Sequence, residues 1–215
     1  MSIKLLHYQV FTGTLTCVTG LRIGGSKEGI EIGGVENTII RHPISDLPYI
    51  PGSSLKGKMR ALLELKYDRI KEDGKPCGCG NCLVCKVFGP HMNPNHGLGP
   101  TRILVRDANL TDTSRQTLEG AQSDRGLMFA EVKTENIVNR KTGIAADKGL
   151  RTQERVPADT QFTFEMALRI FEDDEEEKLV NFVKEGLALL EQDYLGSSGS
   201  RGYGKIALQY KVEKK

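Results

Sequence analysis

Tryptophan is absent from these 215 residues, aromatic residues of every kind reach only 6%, and no apolar run approaches the roughly 20 residues of a bilayer-spanning helix. A membrane span is therefore not expected. The amino terminus MSIKLLHYQVF has neither the apolar core nor the cleavage site of a secretory signal, so the expected location is the cytoplasm. A Walker phosphate loop and the G-x-G-x-x-G turn are also missing, which argues against a mononucleotide pocket. Net charge is small: 30 Lys and Arg against 28 Asp and Glu leave +2, so overall charge does not point to nucleic acid. Its distribution is more informative. Acidic residues concentrate in FEDDEEEK (171–178), whereas basic ones recur in SSLKGKMR, EVKTENIVNRKTG and GSRGYGK.

Cysteine is also scarce, yet four of the five lie between Cys77 and Cys85. In a reducing compartment such a cluster indicates a metal and not disulfides. CGCGNCLVC gives C-x-C-x2-C-x2-C at Cys77, Cys79, Cys82 and Cys85, and four thiolates on a short loop can close around one tetrahedral zinc. A closed four-cysteine site is normally structural. An iron–sulfur cluster remains the minor alternative, and His91 or His96 could replace a ligand.

Length and composition allow one compact unit with a substantial core. Phe162, Phe164, Met166, Leu168 and Ile170 alternate with Thr163, Glu165, Ala167 and Arg169, the period of a half-buried strand. Ile206, Leu208, Tyr210 and Val212 alternate likewise, and 3–18 and 102–110 are weaker strand candidates. Leu179, Phe182, Val183, Gly186, Leu187 and Leu190 recur at helical spacing, predicting a helix over about 174–192 whose acidic first turn is solvated and complements the helix dipole. A second helix is expected after IPGSS, capped by Ser53 or Ser54, with Leu55, Met59, Leu62 and Leu63 as its apolar stripe. Gly57 within it would be explained by something large lying close to the backbone. The order of strand, helix, strand, insertion, strand, helix, strand fits a ferredoxin-like sheet. Residues 70–100 and 130–157 stand outside that order, the latter reading as a protruding hairpin around Thr142-Gly143.

Three glycine-rich turns carry cations. GLRIGGSKEG holds Arg22 and Lys27; PGSSLKGKMR offers Ser53 and Ser54 hydroxyls with Lys56, Lys58 and Arg60; GSSGSRGYGK brings Ser200, Arg201 and Tyr203 together. Glycines admit a phosphodiester backbone, amides and hydroxyls donate to it, Arg supplies a fork, and Tyr could stack on a base. The ordinary readings are a capped helix with a solvated basic face and a flexible linker. Three such turns plus a charged hairpin fit an extended polyanion better than a mononucleotide pocket.

Taken together, GLRIGGS (20–26), IPGSSLKGKMR (50–60), EVKTENIVNRKT (131–142), RTQERV (151–156) and YLGSSGSRGYGK (194–205) resemble the backbone-subunit family of type III-A CRISPR effectors, the Csm-complex branch of the RAMP superfamily. The likeness runs nearly end to end and includes the cysteine insertion followed by VFG. It implies an α+β protein with a modified RNA-recognition (ferredoxin-like) fold, one domain over 1–215 with a zinc-binding insertion at 70–100 and a thumb hairpin at 130–157. Copies of such a subunit stack head to tail along a guide crRNA. The implied partners are crRNA, complementary target RNA, further copies of the chain and other Csm-complex subunits, including the large Cas-ten-type one, without a membrane. Arg22, Ser53, Ser54, Lys56, Lys58, Arg60, Ser200, Arg201 and Tyr203 would lie along the guide, with Lys133, Asn136, Arg140, Arg151 and Arg155 on the hairpin that kinks the guide–target duplex. Contacts to phosphate and sugar are expected, since such a subunit must accept any guide sequence.

The family cleaves target RNA at each kink with help from an acidic residue after GLxIGGS, usually aspartate, and Mg2+ or Mn2+, leaving a cyclic phosphate and a 5′-hydroxyl. Here that position is Glu36, with Glu28 and Glu31 nearby. The added methylene leaves a non-catalytic, crRNA-binding scaffold as the alternative reading. A guide-processing nuclease of the same superfamily would need a histidine near the last glycine-rich loop, and none stands there. A zinc hydrolase is disfavoured because a closed four-cysteine site has no open position.

Overall fold

The computed structural model describes residues 3–25, 37–125, 129–147 and 149–215. In chain order the strands and helices are β1 (Leu5–Cys17), β2 (Tyr49–Ile50), α1 (Gly52–Lys66), α2 (Leu83–Phe88), β3 (Ile103–Val105), β4 (Ala108–Leu110), α3 (Asp112–Arg125), β5 (Glu131–Glu135), β6 (Arg151–Arg155), β7 (Gln161–Phe171), α4 (Glu176–Gln192) and β8 (Ile206–Lys214). The result is a mixed α/β protein on an antiparallel sheet.

β1 lies between β7 and β8, antiparallel to both, and β3 and β4 pair with the far edge of β7. The alternation read in 162–170 is realised: Phe162, Phe164, Met166, Leu168 and Ile170 are all buried and meet Phe11 and Leu15 of β1 on the same face. α1 and α4 cover that face, burying Leu55, Met59 and Leu63 against Leu179, Phe182, Val183, Leu187 and Leu190. Gly186 permits this approach, since a methyl there would crowd Leu63 and Met59 at 3.0 and 3.1 Å. The opposite face of the sheet carries Thr12 and Thr14 opposite Glu165 and Thr163 and is polar over that stretch. β5 and β6 form a separate two-stranded sheet, so the hairpin predicted for 130–157 is present.

Three expectations need correction. α1 is capped neither by Ser53 nor by Ser54; its N-cap is Pro51, and the amide of Gly52 donates to the Asp107 carboxylate at 2.7 Å. Gly57 is exposed, and outside its own turn of helix no described residue lies within 4 Å of where its side chain would project. The acidic start of α4 is not wholly solvated either. The Asp174 side chain is fully buried, accepts two hydrogen bonds from Arg102 (2.9 and 3.0 Å) and pairs with Lys86 at 2.8 Å. α3, unanticipated in the sequence, contributes Leu118 as a buried side chain on an otherwise polar helix, too thin a stripe to register as periodicity.

The segment expected to be an insertion, 70–100, is built into this core through α2. α2 buries Val84, Val87 and Phe88 among the apolar residues of the sheet and helices, and its Lys86 reaches Asp174. Burial pushes the Asp174 carboxyl up, but hydrogen bonds from Arg102 and Lys86 outweigh it and hold the group below the usual carboxylate range. A carboxylate so depressed contributes stability that is complete above its unfolded value, about 3.9, and is lost as pH falls through its lower native value. Asp174→Asn, which strands two cations, is expected to cost about 3–5 kcal/mol in denaturant unfolding at neutral pH and to flatten this part of the acid limb. An unchanged midpoint would show that the cluster holds nothing together.

Candidate nucleic-acid interface and cysteine site

The carboxy-terminal glycine-rich segment is shaped, not slack. It enters left-handed backbone at Gly196 (φ 79°) and Gly204 (φ 71°), and side chains there would collide with the carbonyls of Arg22 and Leu195. That contact with Arg22 is part of an interlock. The Ser197 amide donates to the Arg22 carbonyl at 2.8 Å, the Gly204 amide to the Gly20 carbonyl at 3.0 Å, and Arg22 Nη1 to Ser197 Oγ at 2.9 Å. Two of the three glycine-rich turns therefore form one unit. Between its ends, a 3-10 turn at Gly199–Arg201 leaves Ser200 and Arg201 exposed.

Tyr203 corrects an expectation. Its ring is 1% exposed and so presents no stacking surface; Lys133 Nζ sits 4.5 Å and the Arg155 guanidinium 5.1 Å from its centroid. Its hydroxyl donates to Glu135 Oε1 at 2.8 Å, while Arg201 Nε lies 3.4 Å and Lys133 Nζ 3.5 Å from the same carboxylate. The Tyr203 hydroxyl is the chief reason the Glu135 carboxyl lies below its ordinary range, with Arg201 and Lys133 adding to it. Glu135 was not foreseen, although the alternation Glu131, Lys133, Glu135 on one face of β5 was available as a signal.

Arg151 and Arg155 occupy the same face of the hairpin as Lys133, with the buried Gln153 between them. Arg155 pairs with Glu131. Asn37 fastens the hairpin to the first glycine-rich turn: its side chain donates to the Thr152 carbonyl and accepts from Arg22, both at 3.4 Å, and its carbonyl accepts from the Glu154 amide at 2.9 Å. Asn136 and Arg140 are exposed farther out, next to the exposed apolar side chains Ile137, Val138 and Ile144. Glu36, together with Glu28 and Glu31, lies outside the described residues.

On α1, Ser53 is exposed and Ser54 half-buried, and the three cations have different fates. Lys58 pairs with Asp193 at 2.8 Å and lies 3.6 Å over the Tyr194 ring. Arg60 is turned inward, donating to Glu64 at 2.8 Å and to the Cys77 carbonyl at 2.7 Å, so its guanidinium serves the cysteine segment. Lys56 makes no ion pair among the described residues. Its partial burial first, then the like charges of Arg60 and Arg169, push its ammonium below the ordinary lysine range. Arg169 comes from β7 to join Lys56 and Arg60 in this positive cluster, in which Arg60 alone has a carboxylate partner, Glu64, among the described residues.

Cys77, Cys79, Cys82 and Cys85 converge, with all four sulfurs within 4.8 Å of one another. The shorter separations are 3.7 Å (Cys85 to Cys77), 3.8 Å (Cys79 to Cys85) and 3.9 Å (Cys77 to Cys82). Tetrahedral thiolates about 2.3 Å from a zinc stand about 3.8 Å apart, so the cluster has the dimensions of such a site. Burial raises the Cys79 thiol, but hydrogen bonds led by the Asn81 amide bring it down to about 6, towards the thiolate that a metal binds. Buried Glu64 accepts from the Cys77 amide at 2.9 Å and thereby fixes the first of the four. His91 and His96 are not part of the cluster.

No helix among the described residues is long and apolar enough to cross a membrane. Residues 14–207 match the RAMP superfamily. A protein of Methanothermobacter thermautotrophicus named CRISPR system Cms endoribonuclease Csm3 is 48% identical over 92% of this chain and 82% of its own. Proteins of the same name from Methanocaldococcus jannaschii and Streptococcus thermophilus are 43% and 38% identical, over 92% and 93% of this chain and 77% and 86% of theirs. Among solved structures, the Csm3-Csm4 subcomplex of the type III-A CRISPR-Cas interference complex aligns with a TM-score of 0.63 at 34% identity, covering 99% of this chain and 82% of the other. The chain thus belongs to the RAMP superfamily and, within it, to the Csm3 family of type III-A backbone subunits.

Proposed function

We propose that this protein is the repeating backbone subunit of a type III-A CRISPR effector, holding crRNA and cleaving complementary target RNA as an endoribonuclease, in the cytoplasm and beside other Csm-complex subunits. The observation that carries this reading is the convergence of the two interlocked glycine-rich turns and the base of the β5–β6 hairpin, which gathers Arg22, Lys133, Arg151, Arg155 and Arg201 at one junction. The endoribonuclease name of its relatives supports the catalytic part.

In this reading the fold is a modified RNA-recognition fold, a single domain with a zinc-binding insertion and a thumb. The guide's phosphates run past Arg22, Ser53, Ser54, Lys56, Ser200 and Arg201. Lys58 contributes from its place over Tyr194, and Arg60 supports the neighbouring insertion. Lys133, Arg151 and Arg155 form the thumb's base, Asn136 and Arg140 lie farther along it, and the exposed Ile137, Val138 and Ile144 give it an apolar end that can displace a base. Backbone contacts of this kind make binding independent of guide sequence and dependent on salt. Zn2+ is held by Cys77, Cys79, Cys82 and Cys85 as a structural ion. Glu36 would orient the target for in-line attack by its own 2′-hydroxyl, and it would be the residue to hold Mg2+ or Mn2+, whose chemistry there would be to neutralise developing charge. Head-to-tail copies extend the site along the guide.

Three outcomes test this. Cleavage of guide-complementary RNA by the assembled complex should give regularly spaced products that disappear with Glu36→Ala. Products that persist unchanged would remove Glu36 from the reaction, and none from the native complex would leave a binding scaffold. Lys56→Ala should weaken guide binding alike for unrelated sequences and lower the salt slope by about one, as losing one phosphate contact does; a sequence-selective loss would contradict that role. Replacing Cys82 and Cys85 together by Ser should abolish zinc in the purified protein by elemental analysis, and retained stoichiometric zinc would refute the site.

A further inference from the structure

We infer that Tyr203 and Glu135 are positioning residues: a strut between the guide-holding glycine turn and the thumb that sets the thumb's angle, and so cleavage, without touching RNA. The inference rests on the proposed function and deepens it.

The hairpin is moored to the body unequally along its two strands, most of the ties falling on β6. Among the described residues β5 pairs only with β6, and beyond Ala130 the side-chain ties described from β5 to the body converge on residues 201–203. β6 is held at its edge by main-chain bonds, between Leu21 and Val156 and between Asn37 and Glu154, and by side-chain contacts of Asn37 with the Thr152 carbonyl and of Glu154 with the Ile39 amide and Arg41. Those bonds form a line along which a two-stranded ribbon can rock. A second, off-axis attachment is needed to stop that motion, and the Tyr203 hydroxyl on Glu135 supplies it from the other strand.

The chemistry suits a strut more than a ligand site. The Tyr203 ring is buried beneath Lys133 and Arg155, so it is a rigid post with its tip on the carboxylate. Both Glu135 oxygens are engaged, one by Tyr203 at 2.8 Å and the other by Arg201 at 3.4 Å, and a carboxylate so occupied is a poor partner for a polyanion. The post's base is fixed as well, because Gly204, the next residue, is bonded to Gly20 and its carbonyl accepts from the Leu195 amide at 2.9 Å. A shift of the guide turn is therefore transmitted to the thumb through the Tyr203 phenol, with Arg201 beside it on the same carboxylate. Misplacement of reacting groups by about 1 Å can cost roughly a hundredfold in rate, so a small rotation is enough to matter.

The test compares assembled complexes carrying native protein, Tyr203→Phe, Glu135→Gln and Glu135→Ala. Tyr203→Phe keeps the ring and removes only the hydroxyl; Glu135→Gln keeps an oxygen that accepts from it. Guide occupancy should stay within about twofold in all four, while the rate at saturating target should fall about tenfold or more in Tyr203→Phe and Glu135→Ala and recover in Glu135→Gln. Hydrogen exchange should quicken in 131–135 and 151–155 in the two slow variants alone. Native-like rates in Tyr203→Phe, or a loss of guide binding that parallels the loss of rate, would overturn the strut. If the native complex does not cleave at all, the proposed function fails. The strut then stands or falls on exchange in Tyr203→Phe: faster at 131–135 supports it, and unchanged refutes it.

Discussion

The main-chain interlock between residues 194–204 and 20–22 is the constraint on which the rest of the site depends. Glycine loses more conformational freedom on folding than any other residue, so a segment with this many glycines would be a poor place for a binding surface if left to itself. Here the cost is met by hydrogen bonds to the carbonyls of Gly20 and Arg22, which convert two floppy turns into one rigid corner. The glycines at 196 and 204 are required because any side chain would strike the strand of backbone they bond to or fold against. What remains exposed on the corner, Ser200 and Arg201, is polar and cationic.

Charge in this protein does more internal work than its surface suggests. Arg102 and Lys86 close on a fully buried Asp174, and Arg60 closes on a buried Glu64 that also holds the Cys77 amide. Both clusters fasten the cysteine segment to the sheet and to α1. Breaking either would leave an unmatched charge in a poorly solvated place, which is why such pairs enforce one arrangement even where they add little net stability. Lys56 with Arg169, and Arg22 with the exposed Arg201, are cations placed beside the glycine-rich turns where an external anion can approach.

Much of this was legible in the sequence, and what was not has identifiable causes. Alternation in 162–170 and helical spacing in 179–190 gave β7 and α4, because burial on one face leaves a periodic trace. The four cysteines declared themselves by spacing alone. A short stripe hid α3, which offers Leu118 and little else. The fates of Tyr203 and Asp174 could not be read locally, since their partners lie 68 and 72 residues away in the chain; Arg60 has a local partner in Glu64, but its other acceptor, the Cys77 carbonyl, lies 17 residues away. A cation in a glycine-rich turn looks the same whether it faces solvent or a distant carboxylate.

RNA-recognition folds of the common kind stack bases on aromatic residues of the open sheet face, and here that face presents threonines such as Thr12, Thr14 and Thr163. The central claim is that guide RNA is held instead at the corner and along the start of α1. Photo-crosslinking of the assembled complex with guides of unrelated sequence, followed by mass spectrometric localisation, tests it most directly. The account predicts crosslinks within 20–25, 53–58 and 197–201 for every guide, whereas crosslinks concentrated on Thr12, Thr14 and Thr163, or differing in position from guide to guide, would contradict it.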